Sequence, residues 1–375
     1  MSLDSNIILA PKSVTSMLSV SPAHNGLLTL SLLFDSKYLD GFDEWVYETA
    51  SSISAEDLQA YRAILDLLYD YLSGKHDRVS QMADFPALLS WISEQDPIGM
   101  RDTIVDSLLN HYAEKSPTAG LEREPNAEEL LLASEESYLA FLETMYQIKG
   151  KENKHDPGVI TYRYHLLTHP DEMREQIVVR LKAFWEEHAQ AEWERVRPII
   201  EESVRAFQSV DLDGLTVFEA IRAVTGRDMS SVWDEDFLAH VEQITFVPSA
   251  HIGPYVFPFF HQNSVILMFG ARTPPGVRIA STALSRSELL VRLNALADDT
   301  RLRIIELLTQ QEEMCAQDIM GELSLSQSSA SRHLRQLSAT GYLVERTHQG
   351  AKCYRLNVDR FNDTIKSLSS FVARR

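Results

Sequence analysis

The sequence predicts a mainly α protein with small β parts, divided into a large, mostly helical N-terminal domain over residues 1–280 and a smaller C-terminal domain over 281–375. Three observations predict this. Over 54–72 and again over 174–207, apolar side chains recur at spacings of three and four among many charges, the period of an amphipathic helix, and the first 245 residues read as mostly helical. The stretch 244–271 departs from that period: its β-branched and aromatic residues are broken by turn residues, as in strands of a hairpin region. A chain of 375 residues also exceeds one ordinary hydrophobic core, and Pro274-Pro275-Gly276 punctuates it just before a new helical pattern begins.

Composition narrows the class. With 44% hydrophobic and 24% charged residues the chain can bury a core, yet it has no continuous apolar run of about 18 residues that would span a bilayer. The first ten residues lack the basic start and apolar stretch of a secretory signal, and two cysteines do not make a disulfide framework. The expected compartment is therefore a reducing cytoplasm, with no membrane partner. The net charge of −19 divides unevenly. Residues 285–375 hold 13 Lys+Arg against 11 Asp+Glu, a net of +2, which leaves 22 against 43, a net of −21, for residues 1–284. A strongly acidic domain repels phosphates, so any nucleic-acid contact must come from basic groups concentrated on one surface of the tail.

The elements follow in order. Periodicity predicts helices over 54–72 and 174–207, and the polar, Gly/Pro-bearing stretches 114–125 and 150–158 read as loops between helices. After the strand region, the segment 272–285 is the expected domain boundary. Ser287 is the expected cap of a helix carrying Leu289, Leu290, Leu293 and Leu296, and Asp299 or Thr300 starts a second with Leu302, Ile305 and Leu308. Two short helices come next, 316–323 and 326–339, separated by the Ser324-Leu325 turn that a helix-turn-helix requires. In the second, Ala330, Leu334 and Leu337 turn inward, which leaves Gln327, Ser328, Ser331, Arg332 and Arg335 outward, side chains suited to base edges and phosphates. Gly341 ends it, and 342–344 with 353–356 form a hairpin whose Arg346, Lys352 and Arg355 can lie along a phosphate backbone. Helix, turn, serine-capped helix and basic hairpin in this order make a winged helix-turn-helix. Any one of these arginines alone would read as a solvated surface charge.

The run Leu296-Ala297-Asp298-Asp299-Thr300-Arg301-Leu302-Arg303-Ile304-Ile305 resembles the start of ArsR-type regulators. Leu325-Ser326-Gln327-Ser328-Ser329-Ala330-Ser331-Arg332-His333-Leu334-Arg335-Gln336-Leu337 resembles their recognition helix, which adds His333 to the candidate DNA contacts. The resemblance implies a homodimer on an inverted-repeat operator of double-stranded DNA, joined through the first and last helices of the module. Phe361, Ile365, Leu368 and Val372 supply a suitable apolar stripe on the last helix; packing within one chain is the plainer alternative. Residues 1–280 are similar to the N-terminal extension of long-form ArsR regulators at Phe184-Trp185-Glu186-Glu187, at Glu192-Trp193-Glu194-Arg195-Val196-Arg197-Pro198 and at Val247-Pro248-Ser249.

Many members of this family sense metals, but Gln317 stands at the second cysteine position of the paired-cysteine motif, leaving Cys315 alone, and the last helix contains no histidine. A useful thiophilic site needs three or four soft ligands, so no metal and no cofactor is expected. His165 and His169 are spaced for one helix face, but Pro170 puts the second at a helix end, where capping is the commoner role. Cys315 and Cys353 read as buried structural cysteines. No nucleophile elbow, P-loop or dinucleotide fingerprint is present, and an enzyme is not expected. Tyr255, Phe257, Phe259, Phe260 and His261 form a candidate pocket for a small organic effector, against the alternative that they are sheet core. The expected function is thus a homodimeric repressor with a non-metal effector acting on the N-terminal domain. An enzyme or a protein-association domain tethered to DNA is the alternative.

Overall fold

The computed structural model describes residues 13–115, 131–148, 156–274 (without 228, 230–232, 234–237 and 239), 282–348 and 351–373. Mainly α with small β parts, the chain forms two compact units, one from Ser21–Lys37 and Glu44–Arg195, the other from the described parts of Met1–Val20, Tyr38–Asp43 and Val196–Arg375.

The first unit is helical. Ser21 caps α1 (Pro22–Asp35) by accepting from the His24 amide, and Pro22 sits at the first turn, where its missing N–H costs nothing. Every residue from Pro22 to Phe34 is buried, so α1 has no solvent face and is the central helix of this unit. Then come α2 (Glu44–Ser52), α3 (Ala55–Leu72), α4 (His76–Ser80), α5 (Phe85–Ser93), α6 (Pro97–Lys115), α7 (Glu135–Ile148), α8 (Pro157–Thr168) and α9 (Pro170–Phe184). The helix expected over 54–72 is α3, capped by Ser54 through the Asp57 amide. The helix expected over 174–207 is interrupted. A single π turn, Trp185–Ala189, joins α9 to α10 (Gln190–Phe207). It packs Trp185 flat on Phe85, ring centroids 4.6 Å apart, while Phe85 closes on Gly26 of α1 so tightly that any Cβ there would enter its ring.

The loop expected over 114–125 overlaps the end of α6 at residues 114–115 and otherwise lies outside the described residues. That over 150–158 gives way to α8 at Pro157, capped by Asp156, with 150–155 outside them. His165 and His169 do share one side of α8, ring centroids 4.3 Å apart, but Nε2 of His165 meets Glu172 at 3.0 Å and Nδ1 of His169 meets the His165 carbonyl at 2.8 Å.

In the second unit a mixed sheet has the order β1 (Thr15–Leu18), β2 (Gln243–Ser249), β4 (Ser264–Gly270), β3 (Val256–His261). β1 and β4 flank β2 in parallel, and β3 pairs antiparallel with β4. Phe246 and Phe269 meet edge to face within the core, against Phe207 at the end of α10 and the apolar side of α11 (Val217–Thr225). A capping box between Thr216 and Glu219 starts α11, and left-handed Gly226 stops it. The winged-helix elements are α12 (Thr282–Leu296), α13 (Asp299–Gln310), β5 (Met314–Cys315), α14 (Ala316–Leu323), α15 (Gln327–Ala339), β6 (Leu343–His348), β7 (Ala351–Leu356) and α16 (Val358–Val372). Their own core gathers Ala295, Ile304, Leu308, Ile319, Leu334, Leu337 and Tyr342. One expectation is corrected: α12 begins at Thr282, so Ser287 lies inside the helix and does not cap it. Among the described residues no helix is long and apolar enough to cross a membrane.

Candidate nucleic-acid interface

Ser324, in the left-handed conformation with φ +53°, ends α14 and turns the chain through Leu325 into α15. Ser326 caps α15 by accepting from the Ser329 amide at 3.3 Å. Ala330, Leu334 and Leu337 are buried beneath the helix, which fixes its rotation. The solvent face then carries Gln327, Ser328, Ser331, Arg332 and Arg335, all exposed. His333 is not on that face. It is 5% exposed, with Nδ1 3.5 Å from a carboxylate oxygen of Asp298, the cap of α13. Burial pulls its pKa below the usual histidine value, the nearby Asp298 opposing and Arg301 reinforcing the shift.

The wing divides its basic residues between two faces. Cross-strand register pairs Arg346 with Cys353 and Val344 with Arg355, so Arg346 and Arg355 share one face of the hairpin. Lys352, opposite Thr347, shares the other face with Glu345, to which its ammonium is bonded. The hairpin tip at 349–350 and the side chains of Thr347 and His348 lie outside the described residues. At the base of the wing Cys315 and Cys353 face each other in register across β5 and β7 and are joined by a disulfide. Expected as separate buried thiols, they instead tie the start of α14 to the wing.

Two contributors escaped sequence reading. Arg301, 6% exposed, donates to the carbonyls of Ala295 at 2.7 Å and Asn294 at 2.8 Å, closing the C-terminus of α12. Asp40, far away in sequence, lies 3.4 Å from Nε of Arg332 and 4.0 Å from Arg301. Its backbone is held by the Tyr255 hydroxyl, which donates to the Asp40 carbonyl at 2.7 Å. No local signal marks such a contact. An aspartate in a short loop reads as solvated until the fold brings it to α15.

The aromatic candidates are separated by the pleat of β3. Phe257 and Phe259 fall on one face with rings 5.1 Å apart, whereas Phe260 points the other way, against Trp233 and the sheet core. Tyr255 precedes the strand and stands edge-on to Phe42 at 5.3 Å. His261 ends β3, and its side chain lies outside the described residues.

The family model described as "Bacterial regulatory protein, arsR family" matches residues 298–344, from the cap of α13 into β6. An arsenical resistance operon repressor of Staphylococcus aureus is 31% identical over 86 residues, 23% of this chain and 82% of that protein. The chain belongs to the ArsR family. Other relatives cover less of their own length: the arsenic resistance transcriptional regulator ArsR1 of Pseudomonas putida KT2440 is 42% identical over 62 residues, 16% of this chain and 48% of the relative. The arsenical resistance operon repressor of Escherichia coli K12 is 42% identical over 62 residues, 16% of this chain and 53% of the relative. The chain thus spans about half the length of these curated relatives. No solved structure is significantly similar to it. In this ArsR protein the matched segment is the helix-turn-helix itself, and the residues before it form an additional N-terminal part.

Proposed function

We propose that this chain is a homodimeric transcriptional repressor that reads an inverted-repeat operator in double-stranded DNA through α15 and answers to a small organic effector. The observation that carries the reading is the outer face of α15 within an ArsR-type helix-turn-helix: Gln327, Ser328, Ser331, Arg332 and Arg335 stand together in solvent on a helix held by a buried apolar face. Arginine suits the paired acceptors of guanine in the major groove. Arg346 and Arg355 add a wing face for phosphate contact. Dimerisation is supported by α16, where Ile365 is 62% and Val372 67% exposed beside Leu368 and Phe371, an apolar stripe unusual on a free surface. Repression accords with the names of the S. aureus and E. coli relatives. Their arsenic specificity does not transfer, because Cys315 is bonded to Cys353 and position 317 is glutamine.

The test is selection of genomic fragments by the full chain, followed by fluorescence anisotropy on the recovered sites. The expected result is an enriched sequence of two-fold symmetry whose preference is lost in Arg335→Ala. Recovery of no preferred sequence, or unchanged selectivity in that variant, would overturn the reading.

A further inference from the structure

Where the end of the mixed sheet meets the winged-helix elements within the second unit, four arginines converge on one cavity. Arg227 follows α11, Arg272 follows β4, Arg292 lies on α12 and Arg360 on α16. Among the described residues lining it, Glu288 is the one carboxylate. It is bonded to Arg292 at 2.7 Å and lies 3.9 Å from Arg272, so three positive charges have no counter-charge on the cavity wall. Carbonyl oxygens hold the guanidinium groups in place: Arg227 donates to Pro254, Arg272 to Thr225 and Arg360 to Thr340. Such contacts use few of the five N–H donors each group carries, and the buried Nε atoms of Arg272 and Arg292 have no hydrogen-bond partner.

This arrangement is electrostatically costly as it stands. Burial draws Arg227 down to about 10 against the opposing pull of Tyr255 and Glu345, and burial together with like-charge repulsion from Arg292 and Arg272 draws Arg360 down to about 10, with Tyr342 and Glu288 opposing. Arg272 is lowered too, by burial first and then by Arg292, with Glu288 opposing. Proteins that bury arginine for stability pair it with carboxylates. The cavity of about 60 Å³ has room for about two waters at liquid density or one phosphate- or carboxylate-sized group.

We propose that the cavity lined by Arg227, Arg272, Arg292 and Arg360 binds a small metabolite through its carboxylate or phosphate group. An oxyanion there accepts from several preorganised guanidinium forks and supplies the missing negative charge. The location gives it an output. Thr340 and Gly341, at the end of α15, line the same cavity, and α12 and α16 are the helices of the proposed dimer. Bound anion would link Arg227 and Arg272 on the sheet side to Arg292 and Arg360 on the winged-helix side, favouring one arrangement of α15 over another. A coupling of this kind changes operator affinity by about 5–150-fold.

The inference deepens the effector part of the proposed function, and calorimetry without DNA tests it apart from operator binding. The full chain is titrated with inorganic phosphate and with malonate, with potassium chloride at matched ionic strength as the control. Saturable binding of at least one of the two, absent with chloride, is expected, and which one binds assigns the anion class. Arg227→Gln and Arg360→Gln, each with an unchanged far-ultraviolet circular dichroism spectrum, should weaken binding at least tenfold. Glu288→Gln should tighten it, an effect that a merely structural role would not produce. Absence of saturable binding by either anion, or folded arginine variants that bind as the wild type does, overturns the site; failure of operator selection with anion binding intact overturns only the regulator reading.

Discussion

Arg332 and His333 are neighbours on α15 and occupy opposite environments: the guanidinium faces solvent and Asp40, the imidazole is buried against Asp298. The difference predicts different phenotypes. Arg332→Ala should weaken operator binding and relax sequence preference by about 1–3 kcal/mol at one base pair, measured by competition with single-substitution operators. Equal affinity for all competitors in wild type and variant alike would mean that α15 does not read bases. A second residue-scale prediction concerns His24, buried in α1 with Nε2 3.3 Å from Nδ1 of His76. Burial, and then the neighbouring His76, push its pKa well below the usual histidine value. The folded state therefore holds this group neutral while the unfolded chain protonates it near pH 6.5, so the unfolded state binds more protons as acid is added. Stability from the neutral group is complete above about pH 6.5 and falls below it by up to about 1.4 kcal/mol per pH unit. In urea titrations the stability of wild type relative to His24→Gln should decline from pH 7 to pH 5, and a difference constant with pH would refute the assignment.

At the scale of elements, the two faces of the wing make separable predictions. Arg355, exposed and on the face of Arg346, should contact phosphate, so Arg355→Ala weakens operator and random duplex alike and lowers the salt slope by about one unit. Lys352, bonded to Glu345 on the other face, should change that slope less; titrations at several potassium chloride concentrations give both values. The stripe on α16 predicts that Ile365→Glu with Leu368→Glu yields monomers by sedimentation velocity, with operator affinity reduced in parallel. A wild type already monomeric at micromolar concentration would remove the basis for that prediction. The contrast also marks what a linear sequence conveys. α14 and α15 are legible to within a residue because Ser326, the Ser324-Leu325 turn and Gly341 are local signals, and the strand region is legible as a region, because its β-branched and aromatic runs and turn residues are local too. The start of α12 is not, since Ser287 offers a cap that the longer helix leaves unused. The π turn at 185–189, where Trp185 stacks on the distant Phe85, carries no local signal that separates it from the helices on either side. His333 enters the candidate contacts through the family resemblance alone, and the helical period, which turns Ala330, Leu334 and Leu337 inward, leaves it off the outward face, as its burial bears out. The arginine cavity was invisible because its four members are spread from position 227 to position 360.

For the whole molecule, two-fold symmetry about α12 and α16 would require half-sites about one helical turn apart, roughly 10 base pairs or a multiple, and inserting about 5 base pairs between them should abolish tight binding. Retained affinity after such an insertion would indicate independent monomers. The mixed sheet has a further consequence, for synthesis. Its edge strand β1 ends at Leu18, whereas its partner β2 brings the matching Phe246 only after the entire helical unit has been made. At ribosomal speeds of about 5–20 residues per second the first strand waits on the order of tens of seconds for its place. During that interval the backbone donors and acceptors of Thr15–Leu18 have no ladder to join, and a fragment cut to begin at Val196 would reverse the problem by leaving β2 as a bare, apolar edge. The nascent helical unit can close on itself first, but the sheet beside the arginine cavity is completed only when both ends of a long excursion return to each other.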